Sequence, residues 1–203
     1  MNPREAGVVI LAAGRSARMK EFKAFLKCND NSTFIGKIIS TYSEWGCSEI
    51  VLVTNEEMLH QTGQMRKIPP GVKIIVNDHL EFERFYSVKL GLGAIRSSSW
   101  CFIQNVDNPF IDSQILDILY DHRSTENYIA PVYNNKGGHP VLLNWKNMNL
   151  ICKWNINSAN FKEVLNTMEC FKVQMPDDRV LININSPEEY KRFFNVIRNG
   201  INL

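Results

Sequence analysis

The sequence predicts a three-layer α/β/α protein built on a doubly wound, mostly parallel β-sheet. Short apolar runs rich in β-branched residues recur along the chain, and stretches with helical periodicity separate them. A run that is apolar at every position is typical of a strand buried on both faces, as strands of parallel sheets are. Strands that alternate with helices form βαβ units with right-handed crossovers. A Rossmann-like member of the α/β class is therefore expected.

The first strand is the best defined of these elements. Val8–Leu11 is apolar throughout, follows Gly7, and leads into Ala12, Ala13 and Gly14. Four further strands are predicted at Ile50–Val53, Val72–Val76, Cys101–Val106 and Tyr128–Val132. The helices predicted between them are Thr33–Trp45, Glu56–Met65, Phe85–Ile95 and Asp112–His122.

The pattern becomes less regular after Val132. A turn is expected at 134–138, followed by a short strand at Pro140–Leu143, helices at Trp145–Cys152 and Ser158–Met168, and β-like segments at Cys170–Met175 and Val180–Asn185. Ser186, Pro187 and Glu189 form a capping box that begins a last helix. No internal repeat or linker divides the chain, so a single domain spanning residues 1–203 is expected.

Composition excludes several classes of function. The 203 residues carry a net charge of +2, which is too small for a basic face that wraps a nucleic-acid duplex. The five cysteines include no C-x-x-C pair, so neither a zinc site nor a disulfide framework is indicated. No apolar run approaches the roughly 20 residues that cross a bilayer, and no signal peptide is visible in residues 1–7. We expect a cytoplasmic protein without membrane or nucleic-acid partners.

The loop after the first strand has the composition of a phosphate-binding loop. Small residues leave the strand, and Arg15, Arg18, Lys20 and Lys23 follow. Such a loop brings backbone N–H groups and guanidinium groups to phosphate oxygens, although a tight turn with solvated basic residues is the structural alternative. The spacing fits neither the G-x-x-x-x-G-K-[ST] loop nor the dinucleotide fingerprint G-x-G-x-x-G.

The order of motifs resembles the nucleotidyltransferases that include molybdenum cofactor cytidylyltransferase, the MobA-like family. The matching segments are Leu11–Gly14 with Ser16, Arg18, Met19 and Lys23, then Asn77, Ser87–Lys89, Asp107–Pro109, Gly138–Leu142 and Asn183–Glu189. The resemblance implies the fold of the nucleotide-diphospho-sugar transferases. It also implies transfer of a nucleoside monophosphate from its triphosphate to a phosphorylated acceptor, with release of pyrophosphate.

Asp107 is the candidate metal ligand. It follows a buried strand, so it is expected at the carboxyl edge of the sheet, where the basic loop also emerges and where open α/β sheets bind ligands. A lone Asp after a strand can equally be a turn former or a helix cap. The resemblance implies that Asp107 binds Mg²⁺. Asn183 or Asn185 would supply a second oxygen, with structural amides as the alternative reading, and cytidylyl-transferring relatives often have Asp at both positions.

The resemblance also assigns roles to other residues. The candidate catalytic residues are Arg18, Lys23 and Asp107, and the candidate nucleotide-binding residues are Leu11, Ala12, Ala13, Gly14, Arg15, Ser16, Asn77 and Ser87. Ala13 and Ser87 favour CTP over GTP, although Ser87 could instead bond a helix carbonyl. Gly138 and His139 would line the acceptor pocket, and molybdopterin is the acceptor of relatives with this sequence. A molybdenum enzyme is then an expected partner.

Departures from the family pattern leave two alternatives open. Lys20, Glu83 and Val106 stand where the family has glycines, which give ligands close access to the backbone. One alternative is a cytidylyl- or other nucleotidyltransferase that acts on a sugar, polyol or choline phosphate. The other is an accessory protein that binds a nucleotide without turning it over, which would fit the lost glycines and the neutral Asn183 and Asn185.

Overall fold

A computed structural model describes residues 4–14, 19, 21–29, 31–123 and 127–195. Its centre is a mixed sheet of eight strands: β1 Arg4–Leu11, β2 Cys47–Thr54, β3 Val72–Val76, β4 Trp100–Asn105, β5 Tyr128–Tyr133, β6 Lys136–Gly137, β7 Val141–Asn144 and β8 Cys170–Gln174. The order is β3-β2-β1-β4-β7-β5-β6, and β8 pairs with β5. The strands β6 and β7 run in the direction opposite to that of the other six described strands. The predicted fold class is confirmed.

Eight α-helices accompany the sheet in the described part of the chain. They are α1 Phe34–Trp45, α2 Glu56–Leu59, α3 Thr62–Met65, α4 Glu83–Ala94, α5 Ser113–Asp121, α6 Trp145–Cys152, α7 Phe161–Asn166 and α8 Pro187–Tyr190. Side chains of Thr33, Asn55, Asp112 and Asn144 cap the first turns of α1, α2, α5 and α6. None of the helices described is long and apolar enough to cross a membrane.

Alternating residues of β1 explain the three layers. Val8 and Ile10 belong to an apolar cluster that includes residues of α1 and α5. Val9 and Leu11 belong to a second cluster with residues of α4, α6 and α7. Because successive side chains of a strand point to opposite faces, a strand that is apolar at every position needs helices on both sides. The continuous apolar run of the sequence is therefore satisfied by packing on both faces.

Close packing of α4 against β1 depends on a glycine. A Cβ atom at Gly91 would lie 2.2 Å from the Cγ1 atom of Val9. The absence of a side chain at Gly91 lets α4 approach β1 closely.

Three predicted elements differ in the structure. The helix expected at Glu56–Met65 is two short helices, α2 and α3, because Gln61 leaves helical geometry with φ −74° and ψ 59°. The helix expected at Ser158–Met168 is confined to α7.

The β-like segment expected at Val180–Asn185 is not a strand. Residues 178–181 form a 3₁₀ helix, and residues 182–185 have no ladder partner in the described chain. Ile182 and Ile184 nevertheless pack in one apolar cluster, so the alternation in this segment does reflect burial.

Candidate active site

The loops that follow β1 and β4 meet at the carboxyl edge of the sheet. These two strands are parallel neighbours, with Leu11 paired to Asn105. The backbone N–H of Val106 then donates to the carbonyl of Leu11 at 3.2 Å. The expectation that Asp107 and the first loop share one edge is confirmed, because the last pair of the ladder brings both loops out together.

Lys23, Asp107 and Asn185 converge at this edge. The Lys23 Nζ atom lies 3.2 Å from Asp107 Oδ2 and donates a hydrogen bond of 2.6 Å to Asn185 Oδ1. The side chains of Lys23 and Asp107 are only 16% and 23% exposed. An ion pair sheltered to this degree is screened less than one on the open surface. We call these three residues the edge cluster.

The backbone delivers Asn185 to the edge cluster. The N–H of Ile184 donates to the Asp107 carbonyl at 2.8 Å, which fixes the end of the segment to the loop after β4. The Glu189 carboxylate accepts from the N–H groups of Asn185 and Ser186, at 2.6 and 3.0 Å, in the predicted capping box. The amide of Asn183 instead donates to the carbonyl of Leu181 at 3.2 Å. Of the two candidate amides, Asn185 is the one held beside Asp107.

The edge cluster has the oxygen donors that a hard divalent cation requires. Asp107 Oδ1 is buried and has no hydrogen-bond partner among the described residues. A buried polar atom without a partner is costly, and a cation would satisfy it. Mg²⁺ is usually held by one or two protein carboxylates together with substrate phosphates and water. Asp107 and Asn185 fit a cation of this kind.

A cavity of about 410 Å³ opens beside the edge cluster. Its lining includes the four loop residues Leu11, Ala12, Ala13 and Gly14, the pair Asn77 and Ser87, Lys23 and Asp107 of the cluster, and Asn105, Val106, Glu83 and Arg84. The structure thus collects on one cavity six of the candidate nucleotide-binding residues and two of the candidate catalytic ones. We call it the first cavity.

Buried side chains hold the walls of the first cavity. Asn55 is 2% exposed, and its amide donates to the Ala13 carbonyl at 2.9 Å while its Oδ1 caps α2. Asn77 donates from Nδ2 to the Ser87 hydroxyl at 2.8 Å, and both residues are buried. Ser87 therefore accepts a hydrogen bond from a neighbouring loop. Its hydroxyl proton is left to donate elsewhere.

A second cavity, of about 550 Å³, adjoins the first. It is lined by Gly138 and His139, by the aromatic residues Phe85, Tyr128 and Phe161, and by the cationic residues Arg84, Lys162 and Lys172. Glu83 and Arg84 line both cavities. The two spaces therefore meet at the first turn of α4.

Backbone packing fixes Gly138 and His139. A Cβ atom at Gly138 would lie 2.5 Å from the Val180 carbonyl oxygen, so only glycine fits. His139 donates its backbone N–H to that carbonyl at 2.9 Å. Burial, reinforced by the Arg84 guanidinium, lowers the pKa of His139 to about 3. The imidazole is neutral at physiological pH, and its buried Nδ1 has no partner in the described chain.

A family comparison matches the region that carries these features. Residues 8–169 fit the model of the MobA-like NTP transferase domain. The chain belongs to this family. Its members are nucleotidyltransferases that bind a nucleoside triphosphate and a phosphorylated acceptor. A comparison with curated proteins found no match.

Solved structures share the fold of this MobA-like transferase at low sequence identity. Rv0371c from Mycobacterium tuberculosis H37Rv is 17% identical, with a TM-score of 0.78 over 96% of this chain and 99% of that chain. A complex of the same protein with manganese is 15% identical, with a TM-score of 0.74 over 94% and 98% of the two chains.

Two further relatives bear the names of enzymes. Molybdopterin-guanine dinucleotide biosynthesis protein A from Archaeoglobus fulgidus is 14% identical, with a TM-score of 0.71 over 95% of this chain and 99% of that chain. The 4-diphosphocytidyl-2C-methyl-D-erythritol synthase from Anaerococcus prevotii DSM 20548 is 11% identical, with a TM-score of 0.72 over 96% and 99%. Identities this low show the common fold alone.

Some residues of the predicted motifs lie outside the described residues, and one described motif residue, Lys89, has contacts away from the edge cluster. Arg15, Ser16, Arg18 and Lys20 are outside the described residues of this MobA-like transferase. Lys89, part of the Ser87–Lys89 motif, donates to the Trp154 carbonyl and to Asn157 Oδ1, both at 2.7 Å. Lys89 therefore ties α4 to a distant loop.

Sequence reasoning missed Arg84 and Asn55. Arg84 precedes Ser87 by three positions, and residues at this spacing share a face of a helix. That spacing was an available signal for Arg84. Asn55 directly follows an apolar strand run and precedes two glutamates, which is the pattern of a helix cap. The cap pattern predicts the hydrogen bond of Asn55 to α2, whereas the hydrogen bond of Asn55 to the Ala13 carbonyl depends on tertiary structure.

Proposed function

We propose that this MobA-like transferase joins CMP from CTP to the phosphate of an acceptor, with molybdopterin as the acceptor, and releases pyrophosphate. One domain, residues 1–203, would carry both substrates, and the product would pass to a molybdenum enzyme. The observation that carries the proposal is the edge cluster, of which Lys23 and Asp107 line the first cavity, together with a second cavity that shares Glu83 and Arg84 with the first. One cavity contacts the loop after β1, and the other contacts Gly138 and His139.

The proposed reaction needs no covalent enzyme intermediate. An oxygen of the acceptor phosphate forms a bond to the α-phosphorus of CTP, while the bond from that phosphorus to the bridging oxygen breaks and pyrophosphate leaves with the electron pair. Catalysis of such a step consists of positioning and charge neutralisation. Lys23 carries a charge at the place where the first cavity meets Asp107. Its ammonium would move from Asp107 and Asn185 to the phosphate oxygens.

Asp107 and Asn185 would hold Mg²⁺. When bound there, the cation would neutralise charge on the α-phosphate and on the leaving pyrophosphate. The buried and unpartnered Asp107 Oδ1 supports this role. The manganese complex of Rv0371c supports a divalent cation in a protein of this fold. Backbone N–H groups of the loop after β1, with Arg15 and Arg18, would bind the rest of the triphosphate.

CTP is proposed because of Ala13 and the Asn77–Ser87 pair. Ala13 lines the first cavity at the position where the family resemblance associates alanine with cytosine. Ser87 accepts its hydrogen bond from Asn77, which leaves the serine proton to donate to an acceptor atom such as the cytosine carbonyl oxygen. Ala13 and Ser87 are both small and buried, and they would lie beside the base.

The second cavity suits a ring-bearing phosphate ester. Its three described cationic residues outnumber its one described acid, Glu83, and so favour an anion, while Phe85, Phe161 and Tyr128 provide flat apolar surfaces. A pterin with a phosphate group has both properties. The volume of the second cavity, about 550 Å³, is within the range of about 300–1,000 Å³ usual for small-molecule sites. Choline phosphate, which lacks a ring, would use little of this surface.

Pyrophosphate release across a panel of acceptors tests the proposal. CTP or GTP is mixed with Mg²⁺, enzyme, and molybdopterin, a sugar phosphate, a polyol phosphate or choline phosphate in turn. We expect release with CTP and molybdopterin, and none when the acceptor is left out. Release with a different acceptor would overturn the molybdopterin assignment. Measurable CTP binding without release for any acceptor would instead indicate an accessory nucleotide-binding protein.

A further inference from the structure

Arg84 occupies the junction between the two cavities. It lines both the first cavity and the second cavity, a property that it shares, among the described residues, with Glu83 alone. Arg84 is therefore a cationic residue in contact with the space for each substrate. Lys162 and Lys172 line the second cavity, whereas Lys23 lines the first.

The chemistry of transfer places the acceptor phosphate at the same junction. The attacking oxygen must come within about 3–3.5 Å of the α-phosphorus before the bond forms. The acceptor phosphate therefore sits where the two cavities meet, next to a triphosphate of the same charge. That arrangement favours a cation on the acceptor side in addition to Lys23, which lines the first cavity on the nucleotide side.

The guanidinium of Arg84 is disposed towards the acceptor side. Its central carbon lies 5.6 Å from the centroid of the Phe161 ring, which is a wall of the second cavity. Among the described residues, no carboxylate oxygen lies within 4.0 Å of it to form an ion pair. A guanidinium that is not paired to an acid can bind a phosphate in the bidentate manner that its planar fork allows.

Electrostatic effects on neighbouring groups agree with this placement. The Arg84 charge adds to burial in lowering the pKa of His139, a residue of the second cavity. Desolvation of the guanidinium lowers the pKa of Arg84 itself, and the Asp107 carboxylate opposes that shift. Arg84 therefore lies near enough to both residues to interact with them, between the edge cluster and the acceptor side.

We propose that Arg84 binds the attacking phosphate of the acceptor and holds it against the α-phosphate of the nucleotide. This inference rests on the proposed function and names a residue that the family motifs do not assign. It implies that the substrate class is a phosphomonoester, since the dianion matches the two-pronged guanidinium. A neutral acceptor would not make this charge-assisted contact.

The test uses phenyl phosphate as the phosphomonoester probe and measures its binding by ³¹P NMR titration. The titration is run on the free protein and on the protein saturated with Mg²⁺ and α,β-methylene-CTP, which cannot be cleaved at the bond that reacts. The variants are Arg84→Ala and Arg84→Lys. The matched control is Arg96→Ala, which removes an exposed arginine beyond the other end of the same helix, about 18 Å away along a 12-residue helix.

We expect Arg84→Ala to weaken phenyl phosphate binding by about tenfold or more, because a charge-assisted bidentate contact is lost. Arg84→Lys should fall between Arg84→Ala and the parent protein. Arg96→Ala should bind as the parent does, and all three variants should bind CTP within about twofold of it. Circular dichroism and thermal melting confirm that each variant is folded.

Two results would overturn the inference. One is phenyl phosphate binding that is absent in the parent protein or equal in Arg84→Ala and the parent. The other is an Arg84→Ala variant that loses CTP binding and keeps phenyl phosphate binding, which would assign Arg84 to the nucleotide. A third combination of results separates this inference from the proposed function. If the parent protein binds CTP and phenyl phosphate, Arg84→Ala does not bind phenyl phosphate, and the parent still transfers no nucleotide, the proposed function is refuted and the assignment of Arg84 stands.

Discussion

Lys23 contacts two residues that are far away in the sequence. Asp107 lies 84 positions after Lys23 and Asn185 lies 162 positions after it, and the Lys23 ammonium group contacts both. A lysine held in this way is already placed for a phosphate, so little rearrangement is needed when the nucleotide binds. The pairing also keeps the half-buried Asp107 carboxylate partly neutralised in the free protein.

Lys23→Ala is expected to lower kcat by about two orders of magnitude, because a charge that stabilises the transition state is lost. The pyrophosphate assay measures the loss, and thermal melting shows whether the variant is folded. Lys67→Ala, which removes an exposed lysine outside both cavities, is the control and should turn over as the parent does. Full turnover by Lys23→Ala would refute the role of this ammonium.

His139 gives the protein a pH-dependent stability. Its pKa falls from about 6.5 in the unfolded chain to about 3 in the fold, so between these values the unfolded chain binds a proton that the folded chain does not. Its contribution is complete above pH 6.5 and decreases as the pH falls towards 3, by at most about 1.4 kcal/mol per pH unit. Urea unfolding of the parent and of His139→Gln from pH 7 to pH 4 measures this slope. Identical slopes in the two proteins would contradict the assignment.

Glu83 is a residue with a strained backbone. Its φ of 55° and ψ of −152° lie in a region that is essentially restricted to glycine. Glu83 stands where the sequence resemblance predicts a glycine, and its backbone has a conformation typical of glycine. The strained residue directly precedes Arg84 and fixes where the first turn of α4 begins.

Glu83→Gly is expected to raise the free energy of unfolding by about 1 kcal/mol, because relief of strain exceeds the added entropy of the unfolded glycine. Glu83→Ala removes the same carboxylate and keeps the strain, so it should bring no gain. Denaturant titration of both variants measures the difference. A glycine variant less stable than the alanine variant would show that this backbone is unstrained.

At the level of elements, Glu49 on β2 secures the connection between α4 and β4. Its carboxylate accepts hydrogen bonds from the backbone N–H groups of Arg96, Ser97 and Ser98 at 2.8–3.0 Å and from both serine hydroxyls. Burial acts to raise the pKa of Glu49, but these bonds outweigh it and lower the pKa to about 2. The bonds fix the start of β4, which leads to Asp107 at its other end.

Glu49→Gln is expected to lower the free energy of unfolding at pH 7 by about 2 kcal/mol, the scale of hydrogen bonds to a charged group. A carboxylate with a depressed pKa stabilises the fold fully above pH 4.5 and loses this effect as the pH falls towards 2. The two proteins should therefore converge in stability at low pH. Glu5→Gln, which alters an exposed residue near the start of β1, is the control. A constant difference down to pH 2 would contradict the role of the charge.

The elements that the sequence predicts well are those with local causes. The strand at Val72–Val76 and the helix at Trp145–Cys152 have the predicted bounds, and the capping box at Ser186 is present. Apolar periodicity and cap residues act within a few positions, so one sequence is enough to find them. The segment at 180–185 is not the predicted strand because its alternation reflects packing in an apolar cluster, whereas a strand also needs a partner along its length.

At the scale of the whole molecule, topology brings the candidate site together. The place of β1 beside β4 puts the first loop next to Asp107, and this followed from the rule that ligands bind at the carboxyl edge of open α/β sheets. The choice of Asn185 over Asn183 beside Lys23 did not follow, since it depends on one backbone bond from Ile184 to Asp107. The junction at Arg84 also required the two cavities to be seen.

Isothermal titration calorimetry of CTP binding, with and without Mg²⁺, tests the central claim that the edge cluster binds a divalent cation and a triphosphate together. The account predicts Mg²⁺-dependent binding by the parent protein and by the control Asp121→Asn, which alters an exposed acid at the end of α5. Asp107→Asn should weaken binding of CTP in the presence of Mg²⁺ by about tenfold or more, because the cation loses its only charged protein ligand in the edge cluster. Binding of Mg²⁺ and CTP by Asp107→Asn at the affinity of the parent would contradict the account.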